Sequence, residues 1–129
     1  KSKGITLGIW GLAFKAKTDD VRESPAIAAI RMFLERAMRV HVHDPEANAT
    51  ARAELGDSVK YFDDGYDALD GADGLIILTE WQEFRNPDFE LIVKKLKKPV
   101  VFDGRNLYDL DIVKKAGIEY HSVGRPTVK

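Results

Sequence analysis

The chain has 129 residues, enough for one domain with a single core, and its 44% hydrophobic and 32% charged residues suit a protein folded in water. A formal net charge of −1 gives no basic field for nucleic acid and no polybasic tract for an anionic membrane, and no apolar run is long enough to span a bilayer. Cysteine is absent, which removes disulfides, thiol chemistry and thiolate metal sites and suits a cytoplasmic location.

Lys1 to Lys3 lead at once into the apolar run Ile5 to Trp10, with no initiating methionine, so we read the chain as a piece of a longer protein. That run is apolar on both faces and rich in β-branched residues, the pattern of a buried strand. A polar loop from Lys15 to Glu23 follows. Ser24 and Pro25 then start a helix, serine as cap and proline at the first helical position. Ile27, Ile30, Phe33, Leu34, Ala37 and Met38 recur at helical spacing and define its inward face.

Val40 to His43 is a second strand, stopped by Asp44-Pro45. Glu46 to Leu55 is a polar helix ended by Gly56. Val59 to Phe62 is a third strand, and Gly65 to Leu69 a short helix. Gly74 to Leu78 is the most hydrophobic run and reads as a central strand. Asn86-Pro87-Asp88 starts a helix with Phe89, Ile92, Val93 and Leu96 facing inward. Pro99 to Asp103 is a fifth strand, Leu110 to Ala116 a helix closed by Gly117, and Ile118 to Tyr120 an edge strand. The tail from Gly124 is expected to fray. Regular alternation of strand and helix predicts one α/β domain: a Rossmann-like three-layer sandwich with a mostly parallel sheet of five to six strands.

In such sheets ligands bind outside the carboxyl ends of the strands, where the strand order reverses. Loops after strands one, four and five carry suggestive residues there. These strands are expected to be near neighbours, with the outer two roughly 10 Å apart, a span that suits a sugar diphosphate or a dinucleotide. The first loop, Gly11 to Ser24, mixes cations and anions. It reads either as a self-neutralised solvated turn or as a phosphate grip built from a lysine and an arginine beside a helix N-terminus. Gly8 and Gly11, with Asp44 closing the second strand, hint at a dinucleotide fingerprint. The G-x-G-x-x-G spacing is missing, however, and Trp10, Phe14 and Lys15 stand where backbone must approach a pyrophosphate. A complete NAD site is therefore not expected, and Asp44 is read as a cap or terminator.

In the second loop, Thr79 to Phe84, Thr79 is a candidate cap. Trp81 and Phe84 are either packed on the turn or line a site. In the third, Phe102 to Asn106, Gly104 is read as the residue that permits an unusual backbone angle. Arg105 then projects over the crevice or pairs with Asp103 or Asp109. His41 and His43 share a strand face, but no third metal ligand is evident, so they are read as packed or hydrogen-bonded and no metal is expected. No catalytic set can be assembled, so no residue of this chain is assigned a catalytic role.

Taken together, Gly11-Leu12-Ala13-Phe14-Lys15, Thr18-Asp19-Asp20-Val21-Arg22-Glu23-Ser24-Pro25, Thr79-Glu80-Trp81 with Phe84, and Phe102-Asp103-Gly104-Arg105-Asn106 resemble the C-terminal UDP-binding domain of the UDP-glucose 6-dehydrogenases. The likeness runs along essentially the whole chain. It implies an enzyme that oxidises the sugar C6 alcohol of UDP-glucose to the carboxylate of UDP-glucuronate in two NAD-dependent hydride transfers. The catalytic cysteine and most of the NAD site would lie in an N-terminal domain, followed by a central dimerisation region. This chain would bind but not turn over. It also implies that Phe14 and Lys15 line the nucleotide-sugar site, that Arg105 reaches the substrate from its own or a neighbouring subunit, and that Arg22 contacts the NAD phosphates. The expected partners are the nucleotide sugar, the rest of the parent chain and a second subunit in a homodimer, with no nucleic acid or membrane. The alternatives are a dehydrogenase of GDP-mannose or UDP-N-acetylmannosamine, a stand-alone Rossmann-like interaction module, and a small NAD-binding domain.

Overall fold

The structure, a computed structural model, describes residues 4–13, 24–79, 81–124 and 127–128. Its centre is a six-stranded, wholly parallel sheet in the order β3-β2-β1-β4-β5-β6. The strands are β1 (Thr6–Trp10), β2 (Arg39–His43), β3 (Lys60–Tyr61), β4 (Gly74–Ile77), β5 (Val100–Asp103) and β6 (Glu119–Ser122). Chain direction across the sheet reverses between β1 and β4, the point at which doubly wound folds bind ligands. The expected Rossmann-like class is thus observed.

Period-two alternation sorts each central strand between two cores. Ile9, Val40 and Val42 face the helices α1 (Pro25–Glu35) and α2 (Asn48–Leu55) through Ile27, Ile30, Ala51 and Leu55. Trp10, Leu75, Ile77, Val101 and Tyr120 face the opposite side. There they meet a 3-10 turn (Asp67–Leu69) and the helices α3 (Gln82–Arg85), α4 (Phe89–Lys95) and α5 (Leu110–Lys115), through Leu69, Phe84, Ile92 and Val113. A fully buried aliphatic such as Ile77 or Val113 contributes roughly 1.5–3 kcal/mol in such a position. The α1 and α2 layer covers only one half of its face. On the other half Phe102 stays 45% exposed and stacks flat on His121, with ring centroids 4.6 Å apart.

Local chemistry sets most helix ends. Ser24 caps α1, its Oγ accepting from the Ala26 amide at 3.1 Å, and Pro25 holds the first position. Asp88 and Asp109 cap α4 and α5 in the same way. The first helix is shorter than its periodicity predicts. It ends at Glu35, and Ala37 takes a left-handed backbone (φ 64°) that lets the Ala37 and Met38 amides donate back to Leu34 and Phe33. This is the Schellman closure, here carried by an alanine where glycine is favoured. Ala37 is consequently exposed rather than part of the inward face.

Two further expectations are corrected. The segment after β4, read as loop, contains the single helical turn α3, which carries no side-chain cap. The tail does not simply fray: Val128 returns and exchanges both backbone hydrogen bonds with Tyr120 at 2.9 Å, an antiparallel bridge outside β6.

Candidate functional site

β1, β4 and β5 are consecutive in the sheet, so the loops that follow them share one rim. Trp10 pairs with Ile77, and Ile77 with Asp103. The pairing continues past the strand ends, with the Leu78 amide on the Trp10 carbonyl (3.0 Å) and the Gly104 amide on the Ile77 carbonyl (2.9 Å). Gly11, Thr79 and Gly104 therefore mark a single edge beside the switch point. Phe14, Lys15 and Arg22 lie outside the described residues; what is described of their loop is where the chain leaves β1, Leu12-Ala13, and where it returns, Ser24.

These flanks are held tightly. The Ser24 hydroxyl donates to the Leu12 carbonyl at 2.7 Å, so the helix cap of α1 also closes the loop on itself. The Thr79 hydroxyl donates to the Ala13 carbonyl at 2.7 Å, tying the β4 edge to the β1 edge. That is a correction to the reading of Thr79 as a cap for the turn after it. Gly11 makes the tie possible. Its backbone is left-handed (φ 102°), and it packs so closely on Thr79 that no side chain fits.

Below these contacts sits Asp44, buried at the end of β2. One carboxylate oxygen accepts from the Glu46 and Ala47 amides, which starts the turn into α2. The other accepts from the Leu12 amide (2.8 Å), the Ala13 amide (3.1 Å) and the Trp81 indole N–H (3.1 Å). Asp44 thus ends β2 and closes the turn before α2, a helix with no side-chain cap of its own, but this is only half of what Asp44 does. In dinucleotide-binding folds an acid in this region meets a ribose diol; here both oxygens are occupied by the protein itself.

The aromatic residues of the second loop are packed rather than free for stacking on a base. Trp81 is buried with its N–H on Asp44. Phe84 is buried and stacks on Trp10, with centroids 5.0 Å apart and planes 19° from parallel.

A second buried aspartate organises the third loop. Asp103 Oδ1 accepts from the Arg105 amide at 2.8 Å, while Oδ2 accepts from the Leu107 amide (2.7 Å) and the Tyr120 hydroxyl (2.6 Å). The left-handed residue of this turn is Asn106 (φ 57°) rather than the expected Gly104. Gly104 instead passes close to the Ile77 carbonyl, which a β-carbon would approach to 3.3 Å. The Asn106 side chain exchanges two 2.9 Å hydrogen bonds with Val123, fastening the turn to the end of β6. Arg105 is exposed on this rim. Tyr108 lies beneath, its hydroxyl donating to the Phe84 carbonyl at 2.6 Å. Burial, reinforced by the Asp103 charge, holds its phenol far above the ordinary range.

The histidines are each satisfied locally. His41 Nδ1 lies 3.2 Å from the Ala68 carbonyl, and burial pushes its pKa below the usual value. His43 bridges the Phe62 carbonyl and Glu83. No group of three acidic or histidine side chains among the described residues is arranged to hold a metal.

The profile of the UDP-glucose/GDP-mannose dehydrogenase family, UDP binding domain, matches residues 8–110, which includes all three rim loops. The chain belongs to that family. Relatives within it include the UDP-glucose 6-dehydrogenase of Pseudomonas aeruginosa, 41% identical, with 96% of this chain and 28% of that protein covered. UDP-glucose 6-dehydrogenase TuaD of Bacillus subtilis is 42% identical over 98% of this chain and 28% of its own length. Among solved structures, a UDP-glucose dehydrogenase from Pyrobaculum islandicum superposes with a TM-score of 0.77 at 42% identity, covering 96% of this chain and 26% of that one. A UDP-D-ManNAc dehydrogenase from Pyrococcus horikoshii gives 0.74 at 27% identity, covering 96% and 26%. The chain thus spans little more than a quarter of the length of these family members.

Proposed function

We propose that this chain is the C-terminal, nucleotide-sugar-binding domain of a UDP-glucose 6-dehydrogenase, the enzyme that oxidises UDP-glucose to UDP-glucuronate. The observation that carries the proposal is the shared rim: the Leu12-Ala13 edge that leads to Phe14 and Lys15, and the Asp103–Asn106 turn that presents Arg105, flank β4 at the switch point. Lys15 and Arg105 would grip the charged part of the substrate, the lysine as a point charge and the arginine as a two-pronged donor. Phe14 would line the sugar side. The greater identity to UDP-glucose dehydrogenases than to the UDP-D-ManNAc enzyme favours glucose as the sugar.

NAD would accept hydride in the complete enzyme. The β2 edge of this chain does not fit an independent NAD site, because Asp44 has no oxygen left for a ribose. We therefore place the cofactor mainly on parts of the enzyme outside this chain, with Arg22 reaching its phosphates. The remaining partners would be the rest of the parent chain and a second subunit. No described helix is long and apolar enough to cross a membrane, and we place the enzyme in the cytoplasm.

Titration of the 129-residue chain with UDP, followed by amide chemical shifts, tests the reading. Shifts should cluster at Leu12, Ala13 and residues 104–106, with weak affinity. Losing one charge-assisted pair to phosphate removes about 1.5–3 kcal/mol, so Arg105→Ala should lower affinity on the order of tenfold or more. Lys17→Ala should leave it unchanged. Unmoved resonances at millimolar UDP would overturn the proposal, and equal effects of the two substitutions would remove Arg105 from the site. GDP competing better than UDP would favour the GDP-mannose branch.

A further inference from the structure

We propose that Asp44 is a positioning residue for the nucleotide-sugar site; this rests on the function proposed above. The carboxylate is 2% exposed and receives five N–H donors from three separate parts of the chain. A carboxylate has about four lone-pair directions, so the group is saturated. Two of its donors serve the start of α2, which any strand-end aspartate could do. The other three do not. The Leu12 and Ala13 amides are the last described peptide groups before Phe14 and Lys15, and Trp81 is the N-terminal flank of α3.

Leu12 and Ala13 are held at both polar ends. Their amides donate to Asp44, while their carbonyls accept from Ser24 and Thr79. The Leu12–Ala13 peptide is bonded at both its carbonyl and its N–H, and the outer polar atoms of the two residues are bonded as well, so the pair has little freedom to rotate. Asp44 binds both amides of this pair and, through Trp81, the β4 loop, which Thr79 also ties to the Ala13 carbonyl. Five N–H dipoles converge on its two oxygens and fix the orientation of the peptides around it. The β2 position that reads a ribose in dinucleotide folds has become an internal anchor that aims the loop leaving β1.

Asp44→Asn separates anchoring of the β1 edge from closure of the turn before α2. The amide keeps its oxygen toward Glu46 and Ala47 but turns an NH2 toward the three donors from Leu12, Ala13 and Trp81. In the 129-residue chain we expect this variant to shift the Leu12 and Ala13 amide and Trp81 indole resonances and to weaken UDP binding at least tenfold. Val113→Ala, a cavity in the α5 core remote from the rim, serves as a control of comparable thermal destabilisation and should keep UDP affinity within twofold. Trp81→Phe removes one donor and should fall between them; it carries the test alone if the asparagine variant fails to fold. Binding by either anchor variant equal to wild type, or weakened no more than by Val113→Ala, overturns the positioning role. Failure of the wild-type chain to bind UDP overturns the functional reading itself and is seen in the first titration.

Discussion

Gly11 and Thr79 are packed across the seam between β1 and β4 so closely that a β-carbon on Gly11 would stand 2.6 Å from the Thr79 Cβ and 2.6 Å from its backbone nitrogen. The obstruction is backbone as well as side chain, so rotation of Thr79 cannot relieve it. Gly11 is also left-handed. Gly11→Ala therefore combines a strained backbone, about 1–3 kcal/mol, with overpacking of another 1–3 kcal/mol. We expect a loss of roughly 2–6 kcal/mol, read as a lower denaturation midpoint in urea at unchanged m-value. A midpoint within error of wild type would mean that the seam opens easily.

Ala37 presents the opposite case. It is exposed and left-handed at the end of α1, with nothing gained from its methyl group to offset the strain. Glycine there removes a left-handed penalty of about 1–2 kcal/mol but adds unfolded-state entropy worth about 0.4–1 kcal/mol. Ala37→Gly should stabilise the chain by roughly 0.5–1 kcal/mol, measured by thermal melting. A destabilised variant would show that the Schellman turn is not what limits this helix end.

The buried phenol of Tyr108 makes stability fall in alkali. Its folded pKa is raised, first by burial and then by Asp103 and neighbouring tyrosines, above the ordinary value of 10. Below that value both states are protonated and the contribution is fully present. Above it the unfolded chain releases the proton while the folded chain keeps it, so stability declines as pH rises. Tyr61, also raised by burial, adds to the slope. Denaturant melts between about pH 9 and about pH 11 should show this decline. Tyr108→Phe should flatten it, at a cost of about 1–3 kcal/mol at neutral pH because the Phe84 carbonyl loses its donor. An unchanged slope in the variant would assign the effect to other groups.

The sheet was legible because its strands announce themselves locally: Ile5 to Trp10 and Gly74 to Leu78 are short, apolar on both faces and bounded by glycine or polar residues. Neighbouring positions for β1, β4 and β5 followed from the alternation of strand and helix. The single turn of α3 was not legible, since it has neither cap nor periodicity. In the rim, Arg105 could be singled out from its place just past a strand. The anchors could not. Asp44 announces a turn through the following proline, but its bonds to Leu12, Ala13 and Trp81 span more than thirty positions. Likewise, nothing local to Asp103 points to Tyr120, seventeen residues on. A buried carboxylate that takes its donors from distant strands leaves no spacing to read.

The Tyr120–Val128 bridge has a consequence for how copies of this chain can meet. A sheet ends in two rows of open peptide groups, and such rows invite addition of a foreign strand. On the β6 border, Val128 occupies the Tyr120 amide and carbonyl; on the opposite border, β3 is only two residues long. Both margins are thus blunted against strand-by-strand growth, and removing the last few residues would uncover one of them.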